Sequence, residues 1–425
     1  MDLEMKTFRA QSADPAENPD VVRWWRAVNQ GFHGERLSDD RLARMVEGSY
    51  DDDLLLRGVY DREIPEPGNP NRPVATFCSA DGSLNVGGRT LLPARLITDV
   101  TVRPTHRRRG LLRTMMSAEL AEARDAGLPV AALTVTEGSI YRRFGFGPAT
   151  FETGVTVQTN MRFGLQVPPA GGNVVLVDAA RVQEYAADIF AVFHQRVPGS
   201  VSRFSTVPTH VSGVWDFGLG KENRRTRGAI HLSADRRPDG YVTWEADRQA
   251  DQFGKITITD LVATTAQGYL ELWDFLGHID LIEEVHWRQA PVEDPLRFAL
   301  NDPNLYQVTD YRANVWLRLL DVAAVLQARP WVGRGTVVID VSDSLDLVPG
   351  RYLVEVADGS ARVTRTDQPA DVALDAAALA SISLGAVRPS TLQKAGLINE
   401  LRSGGTDNLD QLVAAPAPVW GITHF

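Results

Sequence analysis

Three consecutive arginines, Arg107, Arg108 and Arg109, stand directly before Gly110, and Arg113 follows within a turn. The residue types and their order suit one task, the binding of an anion. A glycine lets backbone N–H groups come close to a ligand, a helix start directs its dipole at negative charge, and arginines add full charges. A pyrophosphate is the natural guest, although a solvated basic turn would use the same residues. A second cluster runs Thr136-Glu137-Gly138-Ser139-Ile140-Tyr141-Arg142-Arg143-Phe144-Gly145-Phe146-Gly147. There the Tyr141 O–H is a candidate proton donor to a leaving group, or else a core ring packed on Phe144 or Phe146. The third feature is the end of the chain, Ala415-Pro416-Ala417-Pro418-Val419-Trp420-Gly421-Ile422-Thr423-His424-Phe425. Chain ends are usually polar and frayed, whereas this one is apolar and ends on an aromatic ring. It reads either as a closing strand or as a docked segment that carries the Phe425 carboxylate to a site.

These groups need elements to hold them. Ala94 to Arg103, which includes Val100-Thr101-Val102, reads as a strand, Gly110 to Ala126 as a helix, and Val130 to Val135 as the next strand. Leu112, Met116 and Leu120 recur at i, i+4 and i+8, a stripe facing a core. Strand, helix and strand within about 40 residues form a βαβ unit, right-handed by default. Earlier, Val22–Val28 reads as a helix, and Leu54–Tyr60 and Val74–Cys78 as strands. A proline-rich connection spans 61–73. The Pro/Gly stretch Val167–Gly172 reads as a linker to a second α/β region. In that region Ile256-Thr257-Ile258-Thr259-Asp260-Leu261-Val262 echoes Leu96-Ile97-Thr98-Asp99-Val100-Thr101-Val102, with a helix following from Gly268 to Leu276. The turn between them lacks arginines, which suggests a degenerate repeat without a phosphate cradle. From 306 onward an amphipathic helix is expected over Val315–Ala328. Strands are expected at Val337–Val341, Arg351–Val356 and Ala361–Thr366, and a helix at Ala376–Leu384. The expected fold class is therefore α+β in three units, 1–160, 161–305 and 306–425.

Composition narrows the partners. The 425 residues carry a net charge of −10, which disfavours nucleic acid as the main partner and suits a small cationic molecule. Cys78, the single cysteine, lies in an apolar run and reads as a small buried hydrophobe. The eight histidines form no metal-ligand pattern, so no metal is expected. The polar, acidic start lacks a signal-peptide core and no apolar run is long enough for a membrane span. A cytoplasmic protein is therefore expected.

The turn Arg-x-x-Gly-x-x at 107–112 resembles the acetyl-CoA pyrophosphate loop of the GCN5-related N-acetyltransferases (GNAT). Those proteins usually place Gly or Ala where this chain has Leu112. Tyr-x-x-x-Gly-Phe at 141–146 stands where such enzymes put a tyrosine beside the thioester sulfur. Over essentially its full length the chain resembles the Eis (enhanced intracellular survival) family of acetyltransferases. The resemblance rests on 100–113, on 137–147 and on the terminal Phe425. It implies a catalytic GNAT domain over 1–160, a second GNAT-like domain without cofactor over 161–305, and a sterol-carrier-protein-like domain over 306–425 whose end reaches the active site. It also implies a homohexamer that uses acetyl-CoA to acetylate amines of aminoglycosides, and lysine side chains; polyamines join them as candidate acceptors. By the same resemblance Val100, Thr101 and Val102 would pair with the pantetheine arm. Arg107, Arg108, Arg109, Gly110, Leu111, Leu112 and Arg113 would cradle the phosphates, and Thr136 and Glu137 would line the cofactor path. Tyr141 resembles the family's general acid and the Phe425 carboxylate its general base. Glu35 is the candidate acidic residue for the acceptor. The rival readings are a non-enzymatic acyl-CoA or lipid-binding protein and a transferase for longer acyl groups.

Overall fold

A computed structural model describes residues 3–135, 137–169, 171–249 and 252–425. The first sheet is built from β1 (Leu3–Phe8), β2 (Leu55–Asp61), β3 (Ala75–Asn85), β4 (Leu91–Val102), β5 (Val130–Thr134) and β6 (Gly147–Pro148). α1 (Pro19–Gly31) and α2 (Asp39–Asp51) lie between β1 and β2, and α3 (Leu111–Asp125) lies between β4 and β5. Ser38 opens α2 with its side chain on the Arg41 N–H, as an N-cap serine does. The strands run antiparallel from β1 to β4, and β4 and β5 pair in parallel through Ala94–Val130 to Ile97–Leu133. A parallel pair needs a crossover, and α3 supplies it.

The second sheet repeats the plan. Gln252–Ala263 and Glu284–Pro291 pair in parallel, joined by the helix Ala266–Gly277. The echo at Ile256–Val262 therefore marks the same βαβ unit, and the expected helix there is present. The two sheets also exchange strands. Phe151–Gln158, which directly follows β6, sits in the second sheet between Glu284–Pro291 and Tyr306–Ala313. Val315–Leu319 sits in the first sheet between β5 and β6. Each unit thus receives its penultimate strand from the other.

This exchange corrects two expectations. Phe151–Gln158, expected in the first unit, joins the second sheet; of residues 306–319, expected in the third, Tyr306–Ala313 joins the second sheet and Val315–Leu319 the first. The helix expected over Val315–Ala328 begins only at Val322. Val315, Leu317 and Leu319 alternate with a period of two and are all buried, which is strand patterning. Arg318, between two of them, is buried as well and pairs with Asp343. Asp321 then caps the helix Val322–Ala328 through the Ala324 N–H at 2.9 Å.

The third unit is a five-stranded sheet with Gly335–Ser342 at its centre and the all-buried helix Ala376–Ile382 packed beside it. One core runs through both this unit and the first sheet, from Ala94, Val130 and Leu317 to Ile339, Val354 and Leu379. On the opposite face of the first sheet α3 covers Phe77, Ile97 and Leu133. Glu119 of α3 is fully buried there and accepts hydrogen bonds from Arg57 Nε at 2.9 Å and Ser79 Oγ at 2.7 Å. No helix among the described residues is long and apolar enough to cross a membrane.

Candidate active site

Past Ile97 and Leu133 the two parallel strands part. Thr76 of β3 faces Thr101 while Cys78 faces Thr98, so Asp99 and Val100 together oppose Phe77. This is a β-bulge, which bends a strand and re-aims its side chains. Asp99 carries it with a positive φ of 51°. Beyond the bulge Val100, Thr101 and Val102 form one wall of a cavity of about 700 Å³. Gly31, at the end of α1, closes onto that wall: a Cβ there would fall 2.6 Å from the Thr101 Cβ.

The arginine turn forms the mouth. Arg108 and Gly110 both take positive φ, 62° and 77°, and Gly110 is the N-cap of α3. Left-handed residues turn successive N–H groups toward one point, a geometry that holds anions, and the dipole of α3 acts at the same place. Arg107, Arg108, Gly110, Leu112 and Arg113 line the cavity. Leu111 does not; it is buried under the sheet with Met115 and Phe144. Arg109 is exposed and also lies outside the lining. His106 is buried and lies 3.1 Å from Asp61, which ties the turn to the end of β2.

The inner wall comes from the segment after β5. Glu137, Ile140, Tyr141, Arg143 and Phe144 line the cavity. Thr136 lies outside the described residues. Tyr141 is half-buried, with its ring edge-on to Phe146 at 6.3 Å. Burial first, and then the Glu137 carboxylate, push its phenol above the usual range. The glycines of this segment serve packing. A Cβ on Gly145 would meet Arg318, and one on Gly147 would strike the Ala377 carbonyl.

The third unit also reaches the cavity through a loop that the sequence did not reveal. Ser344 and Leu345 complete the lining. Their loop is wound around Asp343, which accepts from the N–H groups of Leu345, Leu347 and Val348 and pairs with the buried Arg318. Ser344 Oγ donates to the Arg143 carbonyl at 3.0 Å, and Arg142 pairs with Asp375 at 2.9 Å. Gly31 and Phe32 were likewise missed, because the wall they approach is distant in sequence, and Ile140, Arg143 and Phe144 were missed as lining residues although they flank Tyr141.

The tail is docked in irregular backbone and forms no strand. The Trp420 N–H donates to the Pro198 carbonyl at 2.7 Å, Asn314 to the Gly421 carbonyl at 2.7 Å, and Thr423 Oγ1 to the Val201 carbonyl at 2.9 Å. Phe425 then meets β5. Its N–H donates to Thr134 Oγ1 at 3.2 Å, and the Thr134 hydroxyl donates back to its terminal oxygen. Its ring lies edge-on to Phe204 at 5.9 Å. Thr134 is the first residue of β5 past the last β4–β5 pair, so the terminal carboxylate sits at the fork without lining the cavity itself. Glu35 is exposed, lies outside the lining, and offers its carbonyl to Asn29 at 2.5 Å. Cys78 is fully buried, and burial pushes its thiol well above the ordinary range, which leaves it inert. No cluster of metal-ligating side chains occurs among the described residues.

Models of acetyltransferase (GNAT) domains match residues 13–149 and 209–319, and a sterol carrier protein domain matches 322–421. The chain is 35% identical to the N-acetyltransferase Eis of Mycobacterium tuberculosis, over 81% of this chain and 84% of that one. It is 31% identical to an uncharacterized N-acetyltransferase of Streptomyces griseus, over 99% of each. The crystal structure of Eis1 from Mycobacterium abscessus superposes over 100% of both chains with a TM-score of 0.82 at 26% identity.

Proposed function

The chain belongs to the Eis family of GCN5-related N-acetyltransferases, and from that premise we propose that it transfers the acetyl group of acetyl-CoA to primary amines of cationic acceptors, such as aminoglycoside-like molecules, polyamines or lysine side chains. The observation that carries this reading is one cavity with an arginine turn at its mouth, a tyrosine in its wall and a chain-terminal carboxylate at the strand fork behind it.

The residues present fit acetyl-CoA. A Cβ at Gly110 would meet nothing within 4 Å, so the turn leaves open space where phosphates would approach. Arg107, Arg108 and Arg113 supply charge to them, and the N–H groups at the start of α3 supply hydrogen bonds. The freed backbone of Val100 to Val102 would pair with the pantetheine amides, between the apolar walls of Leu112, Ile140, Phe144 and Leu345. When bound, the thioester supplies the acetyl carbon that the amine attacks.

An alkylamine with a pKa near ~10.4 is almost wholly protonated at neutral pH, so a base must act on its nitrogen. The Phe425 carboxylate is that general base, directly or through water. A backbone N–H near Val100 to Val102 would hold the oxygen of a bound thioester, where fixed donors are most effective. Tyr141 gives its proton to the departing sulfur. Thiol release from acetyl-CoA with polyamines and aminoglycosides tests the activity. One glycine added after Phe425 displaces the carboxylate, and turnover should fall about 10²–10⁴-fold, the span of general acid–base catalysis. Unchanged turnover in the extended chain removes Phe425 from the mechanism.

A further inference from the structure

On this acidic chain one hollow is lined by arginines. It has a volume of about 600 Å³ and lies against α1, with Arg26, Asn29, Gln30, His33, Arg36 and Arg72 in its wall. Arg26, Asn29 and Gln30 stand at i, i+3 and i+4, so they share one side of the helix. Trp24, Ala27 and Val28 form the buried side. Gly31 belongs with them and presses on Thr101 in the wall of the first cavity. The two cavities share no lining residue and lie on opposite sides of α1.

The charges of the hollow are unbalanced. Neighbouring arginines have carboxylates: Arg23 meets Asp20 at 2.6 Å, and Arg62 meets Glu4 at 2.6 Å. Arg26, Arg36 and Arg72 form no ion pair with any described residue. Glu35, beside Arg36, is exposed and is bonded only through its carbonyl. Arg103 stands behind Arg72. Its N–H donates to the Val74 carbonyl at 2.9 Å, which fixes it two residues from Arg72. The Nε atoms of Arg72 and Arg103 are both buried and find no acceptor among the described residues. Arg72 makes one long hydrogen bond, from Nη1 to Gln30 Oε1 at 3.5 Å. Burial first, and then the Arg72 charge, lower the Arg103 guanidinium. A guanidinium keeps its proton inside proteins, so this cluster cannot shed its charge. Its balance has to come from an anion outside the chain.

The chemistry of the wall selects the anion. A guanidinium presents a planar fork that matches phosphate oxygens two at a time. Three such forks around one hollow suit a multivalent oxyanion, whereas a single carboxylate would neutralise only one of them. The volume is that of a small-molecule site.

We propose that the hollow on the outer side of α1 is a second binding site, for a small phosphate-bearing molecule, separate from the phosphate cradle at the start of α3. Arg26, Arg36 and Arg72 hold the phosphate oxygens, and Arg103 adds its charge from behind. The assignment does not depend on the transferase reading.

The test is calorimetric titration of inorganic pyrophosphate into the full chain, at constant ionic strength and with saturating CoA to occupy the cradle. Pyrophosphate should bind saturably, one per chain, and acetate at the same ionic strength should not displace it. Arg36→Gln and Arg72→Gln should each weaken binding about tenfold or more, the span of a lost hydrogen bond to a charged group. Arg36 is exposed, so its variant keeps the fold. Pyrophosphate should also raise the melting temperature of the unaltered chain more than that of either variant. Absence of saturable binding, equal affinity in both variants, or displacement by acetate would overturn the site. The phosphate on the ribose of CoA is the other source of the same chemistry. If CoA abolishes pyrophosphate binding and dephospho-CoA does not, the hollow belongs to the cofactor and the separate site falls.

Discussion

Tyr141 shows how much a single side chain depends on where it is held. Burial and the nearby Glu137 keep its phenol protonated well past neutral pH, as the proposed role of proton donor requires. Replacing it by phenylalanine retains the ring against Phe146 and removes only the O–H. Turnover in Tyr141→Phe should drop about 10²–10⁴-fold with little change in KM for acetyl-CoA, measured by thiol release. A loss of only a few-fold would leave packing as its role. The residue types of this site were legible because the anion turn and Tyr-x-x-x-Gly-Phe are local. The bulge that Asp99 carries was not, since an aspartate inside a strand reads as an ordinary polar position and a positive φ leaves no mark in the sequence.

At the scale of elements, α3 must hold the turn against the sheet. It does so through the buried cluster of Glu119 with Arg57, Arg95 and Ser79. Arg57 also pairs with Glu122. Removing one partner of a buried ion pair leaves the other uncompensated, at a cost of about 3–5 kcal/mol. Glu119→Ala should therefore lower unfolding stability by about that much, read from urea denaturation. Glu119→Gln, which keeps hydrogen bonds to Ser79 and Arg57, should lose less; equal loss in both would mean that charge, and not volume or hydrogen bonding, matters there. Elements with a clean period were legible, as with α3 and the βαβ echo. Val315–Leu319 was misread because its alternation runs straight into a helix, and the two periods blur over fourteen residues. The strand exchange left no local trace, because a strand's sequence records which of its faces is buried and not which sheet receives it.

Across the whole molecule, the site depends on distant parts meeting. The third unit supplies Ser344 and Leu345, and the tail crosses the junction of the first two units before Phe425 reaches Thr134. His194 sits at that junction. Its Nε2 is 2.8 Å from Ser83 Oγ on β3 and its Nδ1 is 3.0 Å from Ser200 Oγ, while Asn85 donates to its carbonyl at 2.6 Å. The tail is fixed to the adjoining residues, through Pro198 and Val201. Burial lowers the His194 imidazole to about 4. The unfolded chain would bind a proton near pH 6.5 that the folded chain refuses until about 4, so stability is full above 6.5 and falls as pH drops through that window. At 1.36 kcal/mol per pH unit the loss is about 3 kcal/mol at most. Asp294, raised to about 6 by burial, and Asp99, raised to about 7, act in the opposite sense, since the folded chain holds protons there that the unfolded chain has lost. The raw melting curve therefore mixes signs, and a variant isolates the histidine. His194→Gln keeps polar contacts to the serines without a titrating ring. Between pH 7 and pH 4 its melting temperature should fall less than that of the unaltered chain, by a margin that widens toward the acid end. Parallel curves would show that His194 does not govern the junction. If the junction also holds Phe425 in place, acid should weaken turnover in the unaltered chain before bulk unfolding, and the variant should be spared that early loss.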